Sequence, residues 1–592
     1  MHYFPNSSLY PVGNYYRYIE YYYQKTHRVH QIKQIENSEY IQKILILAQK
    51  GVRFSELATT LVEDDITIEE AYEFIHELID EQLLVSELEP AVTNVESLIS
   101  LIDKIKKLPD LDSQIIDILS TIDIQLDNID QQPIGTTVNI YSEIIKNIEK
   151  TKIDTEIKYL FQTDLFKPVK HATVSRNIFK SIQQVLVFLN KIISPVTETN
   201  LTRFKENFIK RYEHREMPLL FILDSELGIG YGNNTPGDIN PLVDDLVKLQ
   251  ENSKSNAYQH SIHKVLLQKY QQSSQKIIEL TDEDVKDVEA IWEDLPPTIS
   301  VMCEILQDNE QGYSYYIKSA GGMSAAALLG RFSHLDKEIL KHTLAITEKE
   351  AQMHPEVIFA EIVHLPESRV GNVLLRPVLR PYEIPYLAKT GVSKEFELRL
   401  NDLYVSIRNN RIVLYSKYLD KEIVPRMSNA HAFNEVKSMP VYNFLCDLQH
   451  QEGRAGLWFR WNETAKLLDY LPRIVYKNCI LSKARWIVHD KEIKSFAGVD
   501  NDSELLMKVK EWQNVRQLPD IVLFVDGDNE LYVDLNHPLS LRAWLSVVKK
   551  HSSFILEEFL FDPATAVVHG REGAFTNEFI FAFYNESLKK NI

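Results

Sequence analysis

The segment that most constrains the fold lies near the N-terminus. NYYRYIEYYY and RVHQIKQI, within residues 13–37, are rich in aromatic and β-branched residues and read as two strands, with Gln24, Lys25 and Thr26 as the turn. Three helical patterns follow. SEYIQKILILAQKG has Ser38 as N-cap and Gly51 as C-cap, FSELATTLVEDD is short, and TIEEAYEFIHELIDEQ has Thr67 as N-cap with Glu70 at the capping-box position. Leu83, Leu84 and Val85 suggest a return strand. Two strands, three helices and a strand is the order of a winged helix.

The chain has 592 residues, too many for one hydrophobic core, so three to five packed units are expected at roughly 100–200 residues each. Its composition, 44% hydrophobic and 25% charged, is that of a globular protein. A formal net charge of −19 excludes a generally basic nucleic-acid coat while leaving room for a local basic groove. Cys303, Cys446 and Cys479 are far apart in sequence and form no CxxC pair, which points to a reducing, cytoplasmic setting. No basic head precedes an apolar run at the start, and no stretch reaches the ~18 apolar residues of a membrane helix, so neither a signal peptide nor membrane insertion is expected.

Residues 91–210 read as mainly helical, with IYSEIIKNIEK and RNIFKSIQQVLVFLNKII carrying apolar residues at helical spacing. Between them YLFQTDLFKP reads as a short buried strand. Residues 211–300 mix loops and helices, and GIGYGNNTPGD is a loop by its turn chemistry. EVIFAEIVHL is strand-like, and two hairpins are expected, turned at Asn409-Asn410 and at Asp526-Gly527-Asp528-Asn529. The expected fold class is α+β and multi-subdomain. A winged-helix peptide-recognition element spans 13–90, a mainly helical part 91–350, and a mixed α/β part 351–592.

Standard catalytic signatures are absent: there is no HExxH, GxSxG or P-loop. GIGYGNN lacks the Walker lysine. Asp526, Asp528 and Asn529 lack the bidentate Glu of a calcium loop. No histidines pair at metal-ligand spacing, and no metal or resident cofactor is expected. DNA binding by the first element would need a basic recognition helix, but the third helix carries Glu69, Glu70, Glu73, Glu77, Asp80 and Glu81, which repel phosphate. Peptide binding is the other reading: a free strand edge takes an extended peptide, and apolar side chains enter a groove beside a helix. Val29 and Ile32 on the strand, with Phe74 and Leu78 on the helix, are candidates to line such a groove. The same four residues serve equally well as core.

The order of segments resembles the N-terminal, glutamylating region of class I lantibiotic dehydratases. The resemblance runs through FKENFIKRYEHREMPLLFILDSELGIGYG (Phe204 to Gly232), LLGRFSHLD (Leu328 to Asp336) and AEIVHLPESRVGNVLLRPVLRPYEIP (Ala360 to Pro385). It continues in LDKEIVPRMSNAHAFN (Leu419 to Asn434), ILSKARWIV (Ile480 to Val488) and LPDIVLFVDGDNELYVDL (Leu518 to Leu535). The family modifies Ser and Thr of a ribosomally made precursor peptide, with glutamyl-tRNA as co-substrate, and a separate region then eliminates glutamate. Its winged-helix element holds the precursor's leader by strand addition, which the resemblance places at 13–90.

The resemblance also assigns roles to single residues. Asp164, in FQTDLFKP, looks like an acidic residue needed for glutamylation, one that orients or deprotonates the acceptor hydroxyl or binds the glutamyl amine. Arg331, in LLGRFSHL, looks like a required arginine that holds a phosphate or carboxylate. On the residues alone, a turn-capping Asp164 and a structural ion pair at Arg331 would stand instead. Lys167, Lys170, His171 and Arg176, and the later Arg369, Arg376 and Arg380, are candidates for a tRNA-facing patch or for solvated faces.

Two parts of the family pattern are missing. One is the portion before the leader-binding element, with its Arg-containing Ser-Thr-Pro-Phe-Gly motif. The other is the elimination region. The expectation is a split or truncated enzyme, with a partner chain supplying the first piece and a separate protein performing elimination. Strands left unpaired at the truncated edge would favour such a partner. The alternative is a non-catalytic peptide-binding scaffold or remnant.

Overall fold

The computed structural model describes residues 1–592 except 25–26, 95–96, 109–112, 133–134, 136, 154, 195–198, 233–260, 273–276, 309–311, 366–373, 432, 434–438, 450, 452, 462–464, 466–467 and 592. The described residues form an α+β fold with several sheets. Two compact units divide the chain: Met1–Val169, Thr197–Leu249 and Met323–Glu452 make the first, and Lys170–Val196, Gln250–Gly322 and Gly453–Ile592 the second.

The first unit begins with β1 (His2–Pro5), β2 (Tyr10–Val12), β3 (Tyr15–Gln24) and β4 (His27–Glu36). β3 and β4 form a ten-residue hairpin in register from Tyr15↔Glu36 to Gln24↔His27, and β2 pairs with the far side of β3. α1 (Glu39–Ala48) starts at Ser38, whose hydroxyl accepts from the Ile41 N–H. β5 (Val52–Arg53) and α2 (Phe54–Leu61) follow. α3 (Ile68–Asp80) starts with the expected Thr67/Glu70 capping box, and it buries Ala71, Ile75 and Leu78 while its acidic face looks outward. The return strand is present as β6 (Leu84–Ser86), but it does not join the hairpin. It pairs with β1, which lies between β5 and β6 in a separate antiparallel sheet. HYFP is too short and proline-ended to show an alternating pattern, so this strand was invisible in the sequence.

α4 (Ser97–Ile105), α5 (Ser113–Asp130) and α6 (Asn139–Glu149) come next, with Ile118, Ile122 and Ile144 at the centre of a small core. The expected buried strand in YLFQTDLFKP is not formed. Residues 161–169 have no regular secondary structure, and Leu165 and Phe166 are 70% and 46% exposed. Phe161 packs edge-on against Tyr141 of α6 at 5.1 Å. Pro168 removes a ladder donor, and among the described residues no strand pairs with this segment.

The main sheet of this unit has six strands, in the order Tyr382–Tyr386, Val357–His364, Lys421–Arg426, Arg411–Ser416, Leu403–Arg408 and Met217–Pro218. Val357–His364 runs parallel to both neighbours. The hairpin turn at Asn409-Asn410 has both φ angles positive, at 50° and 60°, as a two-residue turn requires. Helices Asn200–Tyr212 and Pro440–Leu448 bury Phe204, Phe208, Phe444 and Leu445 in the same core.

The second unit holds a six-stranded sheet and a five-stranded sheet. Helix Arg176–Ile192 buries Ile178, Ile182, Val185 and Leu189 in the core of the first. The long hairpin Thr298–Asp308/Gly312–Gly321 near its centre lies within residues 91–350, which were expected to be mainly helical. In Thr298–Asp308 the side chains of Ile299, Val301, Cys303 and Ile305 enter the core, while Met302, Glu304 and Leu306 between them are half-buried on the other face. The turn at Gly527-Asp528 is formed as expected, with Asp526 opposite Asn529. Cys303, Cys446 and Cys479 are buried free thiols. No helix among the described residues is long and apolar enough to cross a membrane.

The first unit buries an ionic network under its main sheet. Glu361 takes Nε and Nη2 of Arg376 at 2.9 and 2.7 Å, and the N–H and hydroxyl of Ser428 at 2.7 and 2.8 Å. Arg380 donates to Glu350 at 2.6 Å and lies 3.4 Å from the second oxygen of Glu361. Arg376, Arg380, Glu350 and Glu361 are each 2% exposed or less. Removing one member strands a buried opposite charge, so Arg376→Met should cost about 3–5 kcal/mol, read as a lowered urea midpoint. Nearby Glu383 accepts from Gly391 N–H and Thr93 hydroxyl at 2.8 and 3.0 Å, and burial pushes its pKa up from 4.5 to about 7. The folded chain therefore keeps a proton that the unfolded chain releases, and this group's stabilisation is full below pH about 4.5 and lost as pH rises through about 7. The stability difference between wild type and Glu383→Gln should fall by roughly 2 kcal/mol from about pH 5 to about pH 8, measured by urea unfolding.

Candidate functional site

The buried network fixes the segment that carries Arg331. Arg380 Nη2 donates to Ser324 Oγ at 3.3 Å, and the same hydroxyl accepts from the Ala326 N–H at 3.1 Å. Ser428, held by Glu361, presses its carbonyl against Gly330. A Cβ there would lie 1.8 Å from that oxygen, so only glycine fits. Past Gly330 the chain makes one 3-10 turn, Arg331–His334, and Ser333 anchors it with bonds to Leu329 O and Thr343 Oγ1, both at 3.0 Å. Asp336 then caps helix Lys337–Met353.

Arg331 leaves this turn and meets Asp164, 167 positions away in the chain. Its Nη2 donates to Asp164 Oδ1, its guanidinium lies 5.0 Å from the Phe332 ring centroid, and its Nε is buried with no hydrogen-bond partner among the described residues. Gln162 Nε2 donates to the same Asp164 oxygen at 3.3 Å. The side chains are 27% and 13% exposed, so the pair borders solvent without being sealed. Asp164 reaches this place because Phe161 anchors one end of its irregular segment on α6.

The other candidates are distributed differently. Lys167 is half-buried and already engaged. Lys170, His171 and Arg176 are exposed and belong to the second unit. Arg176 is the first residue of its helix, where the dipole disfavours a cation. Arg376 and Arg380 cannot face a tRNA, since both are buried and committed to carboxylates. Arg369 lies outside the described residues, as do Asn233 and Asn234 of the glycine loop. Within that loop, Gly228 packs against Ile222 O and Arg211 Nη2 donates to Leu227 O at 2.8 Å, a structural turn. Among the described residues no group of His, Cys, Asp or Glu is arranged to hold a metal.

On β4, Val29 and Ile32 face opposite ways, because they are three residues apart and strand faces alternate by two. Val29 pairs with Tyr22 and is half-buried. Ile32 pairs with Ile19 and is 42% exposed. Leu78 is core and Phe74 packs against that core half-buried. β4 is the edge of its sheet. Ile19 exchanges both backbone bonds with Ser8 and Asn6, and Tyr21 both with Gln82. These groups point away from β4, so the backbone groups of their β4 partners, Ile32 and His30, point out of the sheet.

Glu361 and Ser428 were not singled out in the sequence, and Arg376 and Arg380 were read there as a surface patch instead of as their buried partners. The available signal was a glutamate inside the apolar run EVIFAEIVHL, which only a buried cation can accommodate.

Residues 1–543 match the family model described as "Lantibiotic dehydratase, N terminus". The chain is 23% identical over 518 residues to the subtilin biosynthesis protein SpaB of Bacillus subtilis, covering 85% of this chain and 49% of that protein. It is 22% identical over 461 residues to the nisin biosynthesis protein NisB of Lactococcus lactis subsp. lactis, covering 73% and 43%. The chain thus spans about half the length of these curated relatives or less. Among solved structures, the tRNA-dependent lantibiotic dehydratase MibB from Microbispora sp. 107891 superposes with a TM-score of 0.76 at 16% identity, over 94% of this chain and 54% of that one. The TbtB glutamylation domain from thiomuracin biosynthesis superposes with a TM-score of 0.62 at 15% identity, over 98% and 70%. These two likenesses establish the shared fold.

Proposed function

The chain belongs to the lantibiotic dehydratase N-terminal family, and from that premise we propose that it contributes a glutamylation site acting on Ser and Thr of a ribosomally made precursor peptide. In the step itself, the peptide hydroxyl oxygen forms an ester bond to the glutamyl carbonyl. The bond from that carbonyl to the tRNA's terminal ribose breaks, and the hydroxyl proton ends on the ribose oxygen. Asp164 is the base or orienting acceptor for the hydroxyl. Arg331 offers donors to the developing oxyanion or to a phosphate of the tRNA end.

The observation that carries this reading is the meeting of Asp164 and Arg331 at the edge of solvent, with the Arg331 Nε left unpartnered. A guanidinium with a spare N–H can pass from carboxylate to substrate without a new buried charge being created. Glutamyl-tRNA and the precursor are the co-substrates, and the exposed Lys170 and Arg176 are candidate tRNA contacts.

Leader binding is assigned to the N-terminal element, read as a winged helix. The hairpin β3–β4, the three helices and the β5–β1–β6 sheet support that reading, and the free edge of β4 supports strand addition by the leader. The competing reading, a leader-binding scaffold without catalysis, draws on the same ion pair: an Asp164 permanently neutralised by Arg331 would accept no proton. Partner proteins that complete the site or eliminate glutamate are part of the test.

Mass spectrometry of the precursor after incubation with glutamyl-tRNA, alone and with proteins encoded beside this chain, should show glutamyl adducts in one arm. Asp164→Asn and Arg331→Lys should each lower that activity by about 100-fold or more with leader affinity unchanged. Leader binding without adducts in any arm establishes the scaffold. Ile32→Pro removes an outward N–H and leaves the β3–β4 ladder intact. It should abolish leader binding while circular dichroism stays that of the wild type.

A further inference from the structure

A cleft of about 520 Å³ opens in the first unit between the N-terminal segment, α1 and the turns that join strands Tyr382–Tyr386 and Leu403–Arg408 of the main sheet. No residue of β4 or α3 lines it. Its walls are apolar and ring-rich, with Phe4, Tyr16, Leu45, Phe221, Leu400 and Tyr404 among them. Ile46 stands on its rim, 67% exposed on α1, an orientation that costs hydration energy unless something covers it.

One end of the cleft is cationic. The Phe4 ring is held against Gly51, where a Cβ would come within 2.5 Å of it. Lys394 Nζ lies 4.4 Å and Lys389 Nζ 4.9 Å from the centroid of that ring. A smaller recess lined by Phe4, Lys389 and Lys394 adjoins the cleft and shares several of its residues. Glu397, the carboxylate at this end, is already engaged: Lys394 donates to it at 3.1 Å, Thr390 at 3.1 Å, and Arg399 lies 3.8 Å away. Glu87 is taken by the N–H and ring of His2, and Glu89 accepts from the Tyr21 hydroxyl at 3.4 Å. Lys104 donates to the Glu87 carbonyl. Burial first, and the neighbouring Lys104 and Lys394 next, hold the Lys389 ammonium down at about 8. Four cations, Lys104, Lys389, Lys394 and Arg399, face three carboxylates, Glu87, Glu89 and Glu397, in a chain whose net charge is −19. A local cationic surplus in an acidic protein selects a negatively charged occupant.

We infer that this cleft is a docking site for an extended peptide segment that carries a carboxylate beside a bulky apolar side chain, the carboxylate meeting Lys389 and the apolar group filling the ring-lined space. A peptide fits better than a fatty acid because Gln42, Gln49 and Asn401 stand among the lining residues, and the Gln42 amide, whose nitrogen donates to Asn37 at 2.9 Å, keeps an oxygen that can accept. They can bond a peptide backbone and would have no partner in an alkyl chain. The site is separate from the β4 edge and does not rest on the glutamylation reading.

The test is selection of a phage-displayed random heptapeptide library on the full chain. Enriched peptides are then synthesised with a fluorescein label and their affinities read by anisotropy. Asp or Glu next to Leu, Ile, Phe or Tyr should be enriched, and Lys389→Met and Ile46→Asp should each weaken binding at least tenfold while Ile32→Pro leaves it unchanged. Lys394→Met, on the exposed rim, gives the same reading should Lys389→Met not fold. The inference is overturned by enrichment without acidic residues or by equal binding to the wild type and both cleft variants. It is also overturned if binding is lost only in Ile32→Pro, or if decanoate is the one probe that binds at Lys389.

Discussion

A carboxylate buried in the middle of a sheet governs the first unit. Glu361 stands on Val357–His364, the strand parallel to both its neighbours, where no water can solvate it. Its charge is tolerable because Arg376, Arg380 and the Ser428 N–H and hydroxyl surround it. Arg376 and Arg380 come from one stretch of chain and Ser428 from another, so satisfying one carboxylate fixes both against the strand that carries it. The loop through Ser324 and Gly330 rests in turn on Arg380 and Ser428, and Arg331 is the residue it presents. The candidate site inherits its geometry from electrostatics in the core beneath it.

Much of the local structure was legible because local chemistry decided it. The Thr67/Glu70 capping box, the Ser38 cap and the two positive φ angles at Asn409-Asn410 follow from side chains acting within a few residues of themselves. What was not legible depends on distant partners. β6 pairs with Tyr3, Phe4 and Pro5, some eighty residues away, and FQTDLFKP, strand-like by composition, pairs with no strand among the described residues. Arg376 and Arg380 have the composition of a basic patch, yet they point inward to carboxylates separated from them by 15 and 30 residues. A charge run carries no sign of whether it faces solvent or a buried opposite charge.

The site itself shows the same division. Asp164 and Arg331 were singled out by the motifs around them, and their contact depends on the irregular segment after Phe161 and the turn after Gly330. Val29 and Ile32 were grouped by hydropathy, while strand register turns one of them away from the other. Apolar character alone does not identify a groove. The direction of backbone N–H groups does, and here it marks β4 as the edge that can receive another chain.

The central claim is that Asp164 and Arg331 form one substrate-binding pair whose mutual contact gives way to the glutamyl end of a tRNA. The most direct measurement is a structure of this chain with a non-hydrolysable amide analogue of glutamyl-adenosine. The account predicts the analogue seated between the two side chains, with the Arg331 guanidinium moved off Asp164 to bond it. An analogue bound elsewhere, with the Asp164–Arg331 contact intact, would contradict it.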